Sequence, residues 1–205
     1  TDSRSNSTTS PQLVTITDTT PPVIAPHADI IAEATASSGA SALFSVSATD
    51  SVDGVTAAVC VPLSGSTFAL GSTTVTCTKD DARGNHATST IFTVRIVDTL
   101  APTIDAVSSI IAEATSSAGA TVNIIPPLSH DIVDGDILSS CNAVTGLFPL
   151  GITTVVCSKS DVAGNAATPQ TFTVTVRDTT APLISVPSAQ SFEATAVLST
   201  PTLVF

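Results

Sequence analysis

The chain has 205 residues, a formal net charge of −11 with only six Lys and Arg, and 3% aromatic residues. Nucleic acids and anionic membrane surfaces are bound by basic faces, so this balance argues against both as partners and suits divalent cations better. The low aromatic content also argues against surfaces that stack on unpaired bases. No apolar run of 18 residues occurs, so the sequence predicts no membrane span in this stretch.

The sequence repeats itself every 80 residues. The stretch Asp-Thr-Thr-Pro-Pro at 18–22 returns as Asp-Thr-Leu-Ala-Pro at 98–102 and as Asp-Thr-Thr-Ala-Pro at 178–182. Likewise, Ile-Ala-Glu-Ala-Thr at 31–35 returns unchanged at 111–115. A fixed period with copied turns is typical of an array of small modules.

The period divides the chain into four parts. We predict full repeats at 19–98 and 99–178, the last turn and strand of a preceding repeat at 1–18, and the first strands of an incomplete repeat at 179–205. The chain contains no Met, and we expect it to be a segment of a longer protein; the alternative is a processed subunit with split end modules. An isolated pair of strands is marginal in water. We therefore expect the end segments to be completed by further chain or by strands donated from neighbouring subunits.

The predicted elements are short strands. In the first full repeat they lie near 22–25, 28–36, 42–49, 55–61, 66–69, 73–79 and 89–97, and the second repeat has the same set about 80 residues later. Apolar Phe92, Val94 and Ile96 alternate with other residues, as in a half-buried strand. Short strands with frequent turn signals predict an all-β fold of tandem immunoglobulin- or fibronectin-III-like β-sandwiches.

Each repeat also carries a series of motifs in constant order. They are Asp-Thr-x-x-Pro, Glu-Ala-Thr, Asp-x-x-Asp-Gly, a Cys followed by Phe-x-Leu-Gly-x-Thr-Thr-Val-x-Cys, and Asp-x-x-Gly-Asn before Phe-Thr-Val. Together they resemble the hyalin repeat (HYR) family over both full repeats and part of both ends. The resemblance implies an immunoglobulin-like sandwich, an extracellular multi-domain protein, a link with adhesion and no catalytic activity. Ala69, where Pro is common in the family, is a small departure.

Each repeat contains one pair of cysteines, Cys60 with Cys77 and Cys141 with Cys157. Paired, copied cysteines in a small module indicate disulfides and an oxidising compartment, hence an extracellular or cell-surface location. A zinc site would need ligand spacings that do not occur here. The third and penultimate strands are neighbours in such sandwiches, so we predict that each pair bonds within its own repeat.

Aspartates crowd the loop between the second and third long strands of each repeat. In such a sandwich this loop shares a pole with the last hairpin and with the start of the repeat. Ca²⁺ takes six to eight oxygen ligands, largely from carboxylates and carbonyls. We therefore predict a Ca²⁺ site where the full repeats meet, formed by Asp98, Asp131, Asp134 and Asp161. Otherwise we expect no cofactor, and the alternative is that these aspartates only open turns.

Glu33 and Glu113 stand among small and apolar residues in a predicted strand. They could bind a cation or a neighbouring subunit, or simply protect an exposed sheet edge, which we favour. Asn6 begins an Asn-Ser-Thr sequence, which predicts an N-glycosylation site.

The sequence favours no enzymatic role, because no catalytic motif accompanies its histidines. Our first hypothesis is a structural and adhesive segment of an extracellular tandem-repeat protein that forms a stalk or surface filament. Its partners would be neighbouring copies of the protein or adjacent repeats. The alternatives are a receptor- or glycan-binding adhesion module and an accessory domain of a larger secreted enzyme.

Overall fold

The structure, a computed structural model, describes residues 3–5 and 7–191. None of these residues belongs to a helix long and apolar enough to cross a membrane. The strands of the first repeat are β1 (Val23–Ile24), β2 (Ile30–Glu33), β3 (Ala40–Ser41), β4 (Ser47–Asp50), β5 (Gly54–Ala57), β6 (Val59–Val61), β7 (Thr67–Phe68), β8 (Gly71–Thr78) and β9 (Thr90–Val97). Those of the second are β10 (Thr103–Ile104), β11 (Ile110–Glu113), β12 (Ala120–Val122), β13 (Leu128–Asp131), β14 (Gly135–Leu138), β15 (Ser140–Cys141), β16 (Gly146–Phe148), β17 (Gly151–Ser158) and β18 (Gln170–Arg177).

Both repeats have the same sheet topology. In the first, sheets of order β1-β4-β5 and β2-β9-β8-β6 are accompanied by the β3-β7 pair, and in the second the orders are β10-β13-β14, β11-β18-β17-β15 and β12-β16. The pairs β2–β9 and β11–β18 are parallel, and the other pairs are antiparallel. Buried Ile24 and Ala48 from the first sheet share one core with Val94 from the second. The predicted all-β fold of tandem immunoglobulin-like sandwiches is confirmed.

The β8–β9 hairpin forms the centre of the first core. Val75 lies opposite Phe92 in the register, and Val75, Cys77, Phe92, Val94 and Ile96 are all buried. These residues alternate with more exposed ones, and β-branched and aromatic side chains suit such a half-buried, pleated surface. Full burial of each large apolar side chain contributes about 1.5–3 kcal/mol.

Two predicted strands differ from the structure. The predicted strand at 55–61 is divided between sheets as β5 and β6, and the one at 42–49 is a strand only at its end, as β4. The change of sheet in the first case occurs at Ala58, whose N–H donates to the carbonyl of Val46. Ala58 packs against the core, because its small side chain lets the chain cross close to the core from one layer to the other. Periodicity records which face is buried but not which sheet a segment joins.

Disulfides join Cys60 to Cys77 and Cys141 to Cys157. Within each pair the cysteines lie directly opposite each other in the sheet, on β6 and β8 and on β15 and β17. Cys77 and Cys157 are fully buried. Each disulfide therefore ties a short edge strand to the central hairpin of its sheet.

Gly39 lies where two segments of backbone approach each other. Its φ is +106°, and a Cβ at this position would lie 1.9 Å from the carbonyl oxygen of Phe68. Gly119 has the same relation to Phe148 in the second repeat. Only glycine fits such a position, because both the dihedral angle and the close approach exclude a side chain.

The described parts of the end segments contain no strand. Residues 7–22 and 178–191 have no regular secondary structure, and Leu13, Ile16 and Leu183 are exposed. The expectation that further strands complete these segments stays a prediction.

The disulfide of the first repeat is expected to supply a large share of that repeat's stability. Replacing Cys60 and Cys77 together with Ala should lower the free energy of unfolding by about 3 kcal/mol, since the bond restricts the unfolded chain. Urea denaturation followed by circular dichroism would measure the loss. The Cys141→Ala/Cys157→Ala variant serves as the matched control and should weaken the other repeat. An unchanged unfolding midpoint would contradict this prediction.

Gly39→Ala is expected to destabilise the first repeat far more than Gly71→Ala. Gly71 has a similar φ of +95°, but nothing lies within 4 Å of an added Cβ. Gly71→Ala should therefore cost only backbone strain of about 1–2 kcal/mol. Gly39→Ala adds a clash with backbone, and such overpacking costs typically a further ~1–3 kcal/mol. Equal shifts in the thermal unfolding midpoints of the two variants would show that the close approach is unimportant.

Candidate functional site at the acidic pole and the repeat junction

Three aspartates meet at the pole where the chain enters the first repeat. Asp18 precedes β1, Asp50 is the last residue of β4, and Asp81 follows β8. One carboxylate oxygen of each lies within 4.8 Å of the others. We call Asp18, Asp50 and Asp81 the first triad.

The loops that carry the first triad are shaped by its own carboxylates. Asp50 Oδ1 accepts hydrogen bonds from the backbone N–H groups of Val52 at 2.7 Å and Asp53 at 3.0 Å. Asp81 Oδ1 accepts from the N–H groups of Arg83 and Asn85, and its Oδ2 accepts from Asn85 Nδ2 at 2.6 Å. Aspartates commonly hold turns in this way. Turn formation therefore accounts for one oxygen of Asp50 and for both oxygens of Asp81.

The second carboxylate oxygen of Asp50, Oδ2, takes no part in a turn hydrogen bond. The residue is only 6% exposed, and its Oδ2 is buried without a hydrogen-bond partner, as is Asp18 Oδ2. A buried polar atom without a partner is costly, and more so when it is charged.

The second repeat has an equivalent set. Asp98, Asp131 and Asp161 also bring one oxygen each within 4.8 Å of one another, and we call them the second triad. The structure thus brings together three of the four residues predicted to bind Ca²⁺. The fourth, Asp134, lies outside the triad, and its Oδ2 accepts a hydrogen bond from the N–H of Val162 at 2.6 Å. Asp134 therefore ties its loop to the hairpin turn, while cation binding itself stays a prediction.

The pKa values of Asp98 and Asp161 in the second triad are shifted in opposite directions. Burial, followed by the charges of Asp131 and Asp161, raises the pKa of Asp98 above its usual range. Burial also opposes ionisation of Asp161, but hydrogen bonds from Asn165 and the N–H of Gly164 outweigh it and lower its pKa. Negative charge at this pole is thus held most firmly on the hairpin turn.

The linker between the repeats is hydrogen-bonded on both sides. On the side of the first repeat, Glu33 at the end of β2 accepts from the N–H of Thr99 at 2.7 Å and from its hydroxyl at 2.8 Å. On the side of the second, Asn165 Nδ2 donates to the carbonyl of Asp98 at 3.1 Å. In addition, Val133 of the second repeat packs against the core of the first.

These linker contacts recur after the second repeat. Glu113 accepts from the N–H and hydroxyl of Thr179 at 2.6 and 2.8 Å, with the same separation of 66 residues as between Glu33 and Thr99. The sequence favours edge protection for these glutamates and does not predict their hydrogen bonds to the linker. The signal was present, because a Thr follows each linker Asp at the same period.

The histidines are engaged locally. His130 lies between Asp136 at 2.7 Å and Asp105 at 3.1 Å, His86 contacts Asp80 at 2.7 Å, and His27 packs on the ring of Phe92. The predicted glycosylation site at Asn6 lies outside the described residues.

The solved structures to which this chain is similar include human protocadherin-24 EC1-2 and a mutant of the SrpA adhesin from Streptococcus sanguinis. They are 14% and 17% identical, with a TM-score of 0.34 each. The first match covers 78% of this chain and 100% of that chain, and the second covers 80% and 98%.

Sequence relatives are more informative. A protein named Hyalin from Lytechinus variegatus is 36% identical over 126 residues, covering 59% of this chain and 24% of that protein. Hyalin from Strongylocentrotus purpuratus is 40% identical over 116 residues, covering 55% and 10%. The chain therefore spans a quarter or less of the length of these relatives. The HYR domain family matches residues 17–96 and 97–176, and the chain belongs to this family of extracellular, adhesion-type repeats.

Proposed function

We propose that this chain is a structural and adhesive segment of an extracellular tandem-repeat protein, in which linked repeats form a stalk or surface filament. The observation that carries the proposal is the linker, which is hydrogen-bonded by the repeats on both sides and is repeated in kind after the second repeat. The disulfide in each repeat suits an extracellular setting.

The linker is short, in addition to being hydrogen-bonded by both repeats. Only residues 98–102 separate β9 from β10, so the connection has little of the freedom of a flexible coil. The bonds from Thr99 to the Glu33 carboxylate are charge-assisted and thus stronger than neutral ones. The packing of Val133 on the first core adds an apolar contact at the same boundary. Repeats joined in this way keep a preferred mutual orientation, which a stalk requires.

The proposed partners are adjacent repeats and neighbouring copies of the protein. With a net charge of −11, the surface is poorly suited to binding polyanions. Copies of the chain that approach each other closely would need cations between them to offset the repulsion of their negative charges.

Beads coated with the chain test the adhesive part of the proposal directly. We expect them to cluster with one another, and beads that remain dispersed at all cation concentrations would argue for a spacer without adhesive activity.

Removing the Glu33 carboxylate is expected to loosen the junction. In Glu33→Ala, the distribution of maximum dimensions from small-angle X-ray scattering should broaden, because the hydrogen bonds of Thr99 are lost. Glu113→Ala is the matched control, since it removes the same interaction beyond the second repeat and should leave this junction unchanged. Indistinguishable profiles for the two variants and the unaltered chain would refute a role for Glu33 in fixing the repeats.

The stabilisation of the repeat junction by Glu33 is expected to decrease at acidic pH. The backbone N–H of Thr99, followed by its hydroxyl, lowers the pKa of Glu33 in the folded chain. The stabilisation is therefore fully present above the unfolded pKa of about 4.3 and is lost as pH falls through the lower folded value. Protonation of Asp98, whose pKa is raised, acts in the opposite sense. The free energy of unfolding is measured against pH for the unaltered chain and for Glu33→Gln, and the difference between the two profiles isolates the contribution of Glu33. Identical profiles would contradict this prediction.

A further inference from the structure

We propose that the first triad binds a divalent cation of the Ca²⁺ class, and that the second triad binds another, so that each repeat holds one ion at the pole where the chain enters it. This inference goes beyond the proposed function, because it holds whether or not the chain forms a stalk.

The geometry of the first triad suits a shared ion. Ca²⁺ lies about 2.3–2.6 Å from its oxygen ligands, so two ligands can lie up to about 5 Å apart. The oxygens of Asp18, Asp50 and Asp81 are all within 4.8 Å of one another. They come from three separate segments of the chain, and a single ion could therefore bridge the linker, the β4–β5 loop and the hairpin turn.

Independent support comes from buried oxygens that lack a hydrogen-bond partner. Within the described residues, the buried side-chain atoms of this kind are Asp18 Oδ2, Asp50 Oδ2 and Asp98 Oδ1. All three belong to the triads. Asp50 carries the most weight, because the residue is only 6% exposed and its buried Oδ2 has no hydrogen-bond donor. A cation would satisfy this oxygen and offset the mutual repulsion of the carboxylates.

The ligands are already oriented. The opposite oxygen of Asp50 is fixed by the N–H groups of Val52 and Asp53, and Asp81 is fixed by Asn85. A carboxylate oxygen that accepts one hydrogen bond retains a further lone pair. Such a site loses little conformational freedom on binding, because the loops keep their shape through their own hydrogen bonds.

Lys79 is the competing source of positive charge. It lines the same depression as Asp50 and Asp81, but within the described residues it makes no ion pair with a triad carboxylate.

The ligand chemistry favours Ca²⁺ over transition metals, because every side-chain ligand is a hard carboxylate oxygen. Pro22 and Thr56 complete the lining of the depression, and the remaining ligands of a six- to eight-coordinate ion would be water molecules or carbonyl oxygens. Mg²⁺ demands near-ideal octahedral geometry and gives up its water reluctantly, so we expect it to bind more weakly than Ca²⁺.

Calorimetric titration of the chelator-treated chain with CaCl₂ tests the proposal. We expect two bound ions with dissociation constants on the order of 10⁻⁴–10⁻³ M, as in other extracellular modules. Asp50→Asn should bind one ion, and Asp50→Asn/Asp131→Asn should bind none. Asp53→Asn is the matched control, because its carboxylate lies in the same loop but accepts a hydrogen bond from Ala82 outside the triad; it should still bind two.

Thermal unfolding provides a second measurement that a misfolded variant could not imitate. In chelator, Asp50→Asn should be at least as stable as the unaltered chain, because an unpaired buried charge has been removed. In excess Ca²⁺ the order should reverse, since only the unaltered chain gains binding energy at this site. Asp18→Asn, in the linker, should weaken one site by about tenfold or more, as loss of a charged ligand implies.

Three outcomes would overturn the proposal. They are the absence of saturable binding, a stoichiometry unchanged in both Asp50→Asn and Asp18→Asn, and a loss of sites in Asp53→Asn equal to that in Asp50→Asn. If Asp50→Asn and Asp18→Asn still bind two ions, the ions lie elsewhere on the acidic surface.

Discussion

The hairpin-turn aspartate, Asp81 in the first repeat and Asp161 in the second, organises everything at the pole. Asp161 accepts hydrogen bonds from the backbone and the side chain of Asn165, which aims that amide at the carbonyl of Asp98. The linker is thereby positioned so that Thr99 meets Glu33 of the preceding repeat. A turn motif thus determines how one repeat is attached to the next, because each hydrogen bond orients the group that makes the following one.

Small core side chains limit the stability that each repeat gains from apolar burial. Val is the commonest residue in the buried core of the second, which has Phe148 and Phe172 as its aromatic residues, and modules of this size bury a modest fraction of their surface. The disulfide compensates by restricting the unfolded chain rather than by enlarging the core. Stability in the array therefore depends on covalent closure within repeats and on polar contacts between them. The acidic pole is compatible with this arrangement only where its charges are hydrogen-bonded or neutralised.

The all-β fold and the repeat family could be predicted because they depend on local signals, namely alternation, turn residues and copied motifs. The division of 55–61 into β5 and β6 could not, because Ala58 looks like any small strand residue until the sheets are assembled. Convergence of Asp98, Asp131 and Asp161 followed from loop positions alone. The different position of Asp134 depends on its bond to the N–H of Val162, and side-chain direction of this kind is decided by tertiary contacts. The Glu33–Thr99 bond was missed because the two residues lie in different repeats.

The parallel pairing of β2 with β9 has a mechanical consequence. Ile30 to Glu33 lie beside Val94 to Val97, with four residue pairs in register, and β9 leads directly into the linker. Tension along the array pulls the start of β2 and the end of β9 in opposite directions, so the pair is loaded in shear and its hydrogen bonds must break together rather than one at a time. Rupture under load is governed by the rate of unfolding rather than by equilibrium stability. An array built from such repeats would resist brief tension better than its small cores suggest.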